Sequence, residues 1–127
     1  DPGVYVATAN SVNNYPHVNK YLSQLRDDLY LKPFKYATER FCGENMEQIL
    51  REVFDSVDIV KLEGDLRFDE PDQFFNYFKV RRVNLDPRPS KKKWEAALKI
   101  VANWIKDDFS REKNIIEPKW AVLALCR

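Results

Sequence analysis

The chain has 127 residues, 44% of them hydrophobic and 13% aromatic, which is enough to bury the core of one domain. Its 21 basic and 20 acidic side chains leave a formal net charge of +1, so the overall charge favours neither nucleic acid nor an anionic membrane as a partner. The sequence contains no run of about 18 apolar residues, as a membrane-spanning helix needs. We therefore expect a cytoplasmic protein with no membrane association.

The counts of cysteine, histidine and glycine exclude several kinds of site. Two cysteines and one histidine are too few for a disulfide scaffold or for the usual four-ligand zinc site, so we expect no metal. The three glycines, Gly3, Gly43 and Gly64, lie too far apart in sequence to form the glycine-rich loop that holds a phosphate or a nucleotide-like cofactor. No complete catalytic constellation is recognisable.

The first third of the chain predicts a strand and two helices. Residues 4–9 are apolar at both odd and even positions, a pattern typical of a strand covered on both faces in a parallel sheet. After an asparagine-rich loop, apolar residues at spacings of three and four predict a helix that begins at Pro16 and is capped by Asn14. A second, short amphipathic helix follows Gly43.

The rest of the chain predicts a strand, two helices and a final strand. Apolar and charged residues alternate over 57–62, which predicts a strand with one solvated face, followed by a turn at Gly64. An acidic, proline-containing start at 69–72 predicts an aromatic helix. Ser90 caps the longest helix, and the nearly all-apolar run 120–126 predicts the last strand. This order predicts an α/β fold with helices packed on a three-stranded sheet.

Several motifs in this succession are those of a known family. The first strand is preceded by Asp1-Pro2-Gly3 and ends in Ala-Thr-Ala-Asn-Ser. The short helix begins with the motif Phe41-x-x-Glu44-Asn45-Met46, and the second strand is preceded by Phe54-x-x-Val57. The last strand contains Lys-Trp-Ala-Val-Leu-Ala. Together they resemble the C-terminal half of class I S-adenosylmethionine-dependent methyltransferases of the small-molecule branch. The resemblance covers the whole chain in order.

The resemblance implies a partial Rossmann-like fold. The three strands correspond to strands five to seven of a seven-stranded sheet, with an antiparallel seventh strand between the fifth and the sixth. Residues 1–127 then form one domain with a helical insertion at about 69–112. The first four strands and their glycine-rich loop are missing, so we expect S-adenosylmethionine to bind only when an N-terminal half completes the chain, and no catalysis by the chain alone.

In the family, the loop after the fifth strand lines the substrate pocket. The resemblance therefore implies that a small-molecule substrate contacts Asn10, Ser11, Asn14 and His17, with Phe75 of the aromatic helix as a further candidate. An imidazole can also take up a proton near neutral pH. In the competing interpretation, Asn14 only caps a helix, His17 lies on a solvated first turn and the aromatic residues belong to the core.

Residues 79–93 form a basic segment with seven cationic side chains and one acid. The candidate residues for binding an anionic ligand there are Arg81, Arg82, Arg88, Lys91 and Lys92. Binding of a nucleic-acid backbone to this segment would depend steeply on salt concentration. We favour a solvated loop, because no nucleic-acid motif accompanies the segment.

The first strand also predicts a partner. An apolar strand with an unpaired outer edge is a template for association. We expect this edge to pair with a complementary chain or with a second copy in a homodimer. The alternative function is a non-catalytic dimerisation or interaction module that uses the same half-fold.

Overall fold

The computed structural model describes residues 3–29 and 39–127, so Asp1 and Pro2 of the first motif lie outside the described residues. The elements in chain order are β1 (Tyr5–Asn10), α1 (Pro16–Asp28), α2 (Met46–Arg51), β2 (Val57–Phe68), α3 (Pro71–Phe78), a 3₁₀ helix (Lys79–Asn84), α4 (Lys91–Arg111) and β3 (Ile115–Cys126). The strands form one antiparallel sheet in the order β1-β3-β2. The α/β class and the three-stranded sheet are thereby confirmed.

The described residues fall into two compact units. The sheet unit contains residues 3–14, 39–66 and 118–127, and the helical unit contains residues 15–29 and 67–117. The boundary between the two units runs within β2 and within β3, and one domain over 1–127 stays a prediction. Each unit has a hydrophobic core of its own.

The helical unit buries the apolar stripes of its three α-helices. Those stripes are Val18, Tyr21, Leu22 and Leu25 in α1, Phe74 and Phe78 in α3, and Trp94, Ala97, Val101 and Ile105 in α4. The Tyr21 ring packs edge-on against both Phe74 and Phe78, with centroid distances of 5.9 Å. The predicted starts of α3 and α4 are confirmed. Glu70 and Gln73 form a capping box at α3, and the Ser90 Oγ accepts the Lys93 N–H at 3.2 Å at the start of α4.

The sheet unit has one covered and one open face. Met46 and Leu50 of α2 cover one face of the sheet. They pack there against Ala7 of β1, Val57 of β2 and Ala124 of β3. Paired residues of two neighbouring strands point to the same face. The opposite face therefore carries Val6 with its partner Leu125, and, by alternation along β2, Val60 and Leu62. Their exposed fractions are 53% for Val6, 38% for Leu125, 46% for Val60 and 54% for Leu62.

The expectation that β1 is covered on both faces is wrong for the described residues. Only Ala7 of β1 is fully buried, because α2 covers one face and β3 pairs with one edge. The apolar pattern of β1 therefore reflects a strand whose second face and second edge are open.

The strand boundaries also differ from the prediction. Gly64 does not form a turn, because it lies inside the continuous strand β2, where an added Cβ would be 3.5 Å from the Lys119 carbonyl oxygen of β3. The last strand begins earlier than the predicted residue 120, because β3 starts at Ile115 and the fixed φ of Pro118 is compatible with extended backbone. Between residues 3–29 and 39–127, none of the helices is both long and apolar enough to cross a membrane.

Candidate functional site

Three of the predicted substrate-binding residues, Asn10, Ser11 and Asn14, lie in the sheet unit at the end of β1. Asn10 is the last residue of β1 and its side chain is exposed. Its backbone carbonyl accepts a hydrogen bond from the Gly43 N–H at 3.0 Å. The amide side chain of Asn10 is thus presented to solvent by a backbone that is fixed on both sides.

The Ser11 hydroxyl is buried and bound to the carboxylate of Glu44. Ser11 donates to Glu44 Oε1, and the Val12 N–H donates to Glu44 Oε2 at 3.2 Å. Slight desolvation opposes ionisation of Glu44, but these hydrogen bonds outweigh it and lower the pKa of its carboxyl. Glu44 was not predicted as a site residue, but its carboxylate holds the loop after β1 in place. The Ser11 hydroxyl donates its hydrogen bond to this carboxylate and not to a ligand.

The buried side chain of Asn14 binds the backbone of β3. Its amide nitrogen donates to the Trp120 carbonyl at 2.9 Å, and its amide oxygen accepts the Trp120 N–H at 2.9 Å. The prediction that Asn14 caps α1 is wrong, because the N-cap residue is Tyr15, which has the left-handed backbone conformation φ 60°, ψ 51° and makes no side-chain cap hydrogen bond. The Asn14 side chain instead bonds both the N–H and the carbonyl of Trp120, as the backbone of a residue in a neighbouring strand would.

His17, the fourth of these candidates, lies in the helical unit and binds Glu117 of β3. The Glu117 Oε1 atom accepts the His17 backbone N–H at 2.7 Å and lies 2.6 Å from the His17 Nδ1. Glu117 Oε2 accepts the Val18 N–H at 3.4 Å. The carboxylate thus occupies the positive end of α1, where both unpaired N–H groups and the helix dipole favour a negative charge.

Arg81 of the basic segment contacts two aromatic rings of the helical unit, whose own centroids are 6.4 Å apart. Its guanidinium carbon is 4.5 Å from the Tyr77 ring centroid and 5.6 Å from that of Tyr15. The buried Nε of Arg81 has no hydrogen-bond partner among the described residues. Burial raises the pKa of Tyr77, the nearby Arg81 charge opposes this, and the Tyr15 and Glu117 charges add to it.

The other predicted site residues are either engaged in packing or exposed. Phe75 packs partly buried against the helical core. Arg82 Nε donates to the Pro89 carbonyl at 2.7 Å, so this side chain holds the loop before α4. Arg88, Lys91 and Lys92 are exposed. No anion site that uses these cations together is formed by the contacts of the described residues.

A polar pocket in the sheet unit has no predicted residue in its lining. It has a volume of about 450 Å³ and is lined by Lys61, Glu63, Gly64, Asp65, Pro118 and Trp120. The Lys61 Nζ lies 4.3 Å from the Trp120 ring centroid. Sequence reasoning missed this pocket because it treated Gly64 and Asp65 as a turn.

Comparisons with known proteins add no relative. Neither the models of known protein families nor the curated proteins contain a match to this chain. Within the part of the chain that the structure describes, no three histidine, cysteine or carboxylate side chains are grouped in a way that would hold a metal ion. The function must therefore be argued from the fold and from the contacts above.

Proposed function

We propose that this chain is the substrate-side half of a class I S-adenosylmethionine-dependent methyltransferase-like fold. The observation that carries the proposal is the strand order β1-β3-β2, with β3 antiparallel to its neighbours. The same order follows from the motif resemblance, in which an antiparallel seventh strand lies between the fifth and the sixth. A chain in which the last strand is inserted between the other two matches that arrangement in connectivity as well as in motifs.

The open surfaces of the sheet unit support the same proposal. In the resemblance, the outer edge of β1 pairs with a fourth strand. Among the described residues β1 pairs only with β3, and the sheet face that carries Val6, Leu125, Val60 and Leu62 is open. An N-terminal half would add strands at the edge of β1 and helices on the open face. Burial of apolar surface, at about 25 cal/mol per Å², would drive this association.

The chain's own residues do not fit a site for S-adenosylmethionine. Its three glycines are dispersed, and the N–H of Gly43 is already bonded to the carbonyl of Asn10. The contribution of this half is to bind and orient the substrate. The candidate residue in the sheet unit is Asn10, with an exposed amide, and the candidate in the helical unit is His17, with an imidazole. Orientation alone accounts for much of the rate enhancement when two reactants are held in contact.

The alternative is a non-catalytic interaction module, and the open apolar sheet face favours it independently of any catalytic residue. The two functions differ in cofactor binding. In both, the partner pairs with the outer edge of β1 and covers the open face, whether it is a complementary chain or a second copy. A molar mass that stays monomeric at high protein concentration would exclude the homodimer.

Calorimetric titration with S-adenosylmethionine tests the proposal. The chain is titrated alone and after mixing with a candidate N-terminal half, chosen from the same or a neighbouring gene for a strand followed by a glycine-rich loop. We expect no heat of binding from the chain alone and saturable binding from the complex. Tight binding by the lone chain, or a stable complex that does not bind the cofactor, would contradict the methyltransferase proposal, and the second result would favour the interaction module.

A pair of neighbouring residues provides the matched control. Leu62→Gln places an amide on the open sheet face and should weaken the complex, because it removes apolar contact area. Glu63→Gln changes the next residue of β2, whose side chain points to the other face, and should leave the complex intact. Size-exclusion chromatography of the two mixtures measures the difference.

A further inference from the structure

Glu117 is a completely buried acid whose surroundings exceed what a helix cap requires. Its side chain has 0% exposure, and β3 positions it 100 residues away in sequence from the first turn of α1. A cap needs only an oxygen that accepts one or two backbone N–H groups. Glu117 in addition holds the His17 imidazole at 2.6 Å on the same oxygen that accepts the His17 N–H. The ring is thereby fixed by two contacts to one carboxylate.

This geometry determines which ring nitrogen of the neutral imidazole carries the proton. A carboxylate only accepts hydrogen bonds, so Nδ1 carries the proton and donates it to Glu117, and Nε2 keeps its lone pair. The His17 side chain is 37% exposed, and no hydrogen bond from the described residues reaches Nε2. Nε2 is therefore an oriented acceptor that a ligand can approach.

The pair also places a carboxylate next to the ring in either protonation state. When Nε2 takes up a proton, the positive imidazolium stays beside the negative carboxylate, which in turn lies at the positive end of α1. The Glu117 charge also acts on the hydroxyl of Tyr77, whose ring contacts the Arg81 guanidinium at 4.5 Å. The pair therefore lies in the same unit as an aromatic ring that carries a cation.

We propose that His17 accepts a proton from a substrate hydroxyl or amine, and that Glu117 is its positioning residue. The proton moves from the substrate oxygen or nitrogen to Nε2, the substrate atom keeps the bonding electron pair, and the imidazolium formed is neutralised by Glu117. The substrate class is a small molecule with a neutral O–H or N–H group. This inference rests on the proposed function for the identity of the site as a substrate site, but the state of the ring does not depend on it.

Nitrogen NMR of the chain tests the arrangement directly, since His17 is the single histidine and its ring signals need no assignment. We expect the neutral ring to be protonated at Nδ1. Glu117→Gln should abolish this preference, because an amide can orient its nitrogen towards the ring. A ring protonated at Nε2 in the native chain would overturn the proposal. If the Glu117→Gln chain loses its helical circular dichroism, the variant is unfolded, and the tautomer of His17 in the native chain alone tests the proposal.

Acylation by diethyl pyrocarbonate tests the reactivity of the free nitrogen on the same isolated chain. The Nε2 lone pair attacks a carbonyl carbon, the ethoxycarbonyl group is transferred to Nε2, and ethyl carbonate leaves. We expect modification at Nε2 and, in Glu117→Gln, a rate reduced by more than about tenfold, because loss of the orienting carboxylate changes the tautomer. Equal rates in folded native and variant chains would overturn the role of Glu117.

The conservative variant His17→Asn separates positioning from chemistry. Its amide nitrogen can still donate to Glu117, so the unfolding free energy should stay close to that of the native chain, but no basic nitrogen remains. In a complex that binds S-adenosylmethionine, we expect methyl transfer to fall by about 10²–10⁴-fold while cofactor affinity is unchanged. Full activity of His17→Asn would overturn the proposal, whereas a complex that binds no cofactor would overturn the proposed function and leave the NMR result standing.

Discussion

The two units of the molecule bury their apolar residues to very different extents. In the helical unit, the largest apolar side chains of α1, α3 and α4 are in the core, and Phe74 and Phe78 have no exposed surface. In the sheet unit, α2 is a single short helix, and among the described residues one sheet face carries exposed apolar side chains. The helical unit therefore buries its large aromatic side chains in its own core, whereas the sheet unit exposes apolar side chains on one face.

This difference indicates where function is to be sought. Exposed apolar side chains beside an unpaired strand edge are typical of an association surface, which is why the proposed partner is placed there. The proposed substrate-binding residues are different ones, at the end of β1 and in the first turn of α1.

The largest expected effect is a loss of stability in the helical unit. Phe78→Ala removes a ring that has no exposed surface and packs on both Tyr21 and Trp94. We expect the free energy of unfolding to fall by about 3–5 kcal/mol in urea denaturation. Phe75→Ala, which shortens a partly buried side chain of the same helix, is the control and should cost clearly less. Equal losses would mean that the helical core is less closely packed than its contacts show.

A smaller effect is expected on the covered face of the sheet unit. An added Cβ in Gly43→Ala would lie 2.8 Å from Trp120 Cζ3 and 2.9 Å from Val122 Cγ2. Overpacking of this kind costs about 1–3 kcal/mol. Gly64→Ala is the control, because its Cβ would meet only the Lys119 carbonyl oxygen at 3.5 Å. Thermal unfolding followed by circular dichroism should separate the two variants, and similar melting temperatures would contradict close packing at Gly43.

The third prediction concerns pH and the ion cluster of the helical unit. Partial burial opposes ionisation of Asp108, but hydrogen bonds from Tyr21, Lys20 and Arg111 outweigh it and lower the pKa of its carboxyl. A carboxyl with a lower pKa in the folded state stabilises the protein above the unfolded value of 3.8, and this stabilisation is lost as the pH falls through the folded pKa.

Removing that carboxyl should therefore matter more at neutral pH than in acid. Asp108→Asn is expected to reduce the free energy of unfolding more at pH 6 than at pH 3, measured in urea at both pH values. Asp107→Asn is the matched control, because its carboxylate is exposed and binds only Arg111 in the described contacts. A loss in Asp108→Asn that does not depend on pH would show that its hydrogen bonds do not depend on its charge.

The smallest effect is expected on the open face. Leu62→Gln changes a side chain that is about half exposed, so the isolated chain should lose less than about 0.5 kcal/mol of unfolding free energy. The same variant is predicted above to weaken the complex with a partner. Urea denaturation of the isolated chain measures the first quantity, and a large loss there would mean that the face is already covered.

Much of the fold was predictable because its signals are local. The stripe of α4, its Ser90 cap and the capping residues before α3 lie within a few positions of the residues they affect, and the structure confirms these helices. The continuous β2 was not predictable, because whether Gly64 turns or extends depends on its neighbour Lys119 in β3.

The candidate site was predictable only in part. His17 was predicted as a candidate site residue, but its partner Glu117 is 100 residues away in sequence and could not be predicted from any local pattern. Asn14 was interpreted as a cap because caps are the commonest local role of asparagine before a helix. Its bond to Trp120 depends on a strand far along the chain, which no local pattern reveals.

The central position of β3 has a consequence for the time course of folding. Cys126 at its end pairs with Tyr5 at the beginning of β1, and β2 also depends on β3 for its place in the sheet. Among the described residues, neither β1 nor β2 can complete its pairing before β3 has been synthesised. Such long sequence separation slows folding and prolongs exposure of unpaired edges. Formation of this sheet therefore has to wait for the residues of β3.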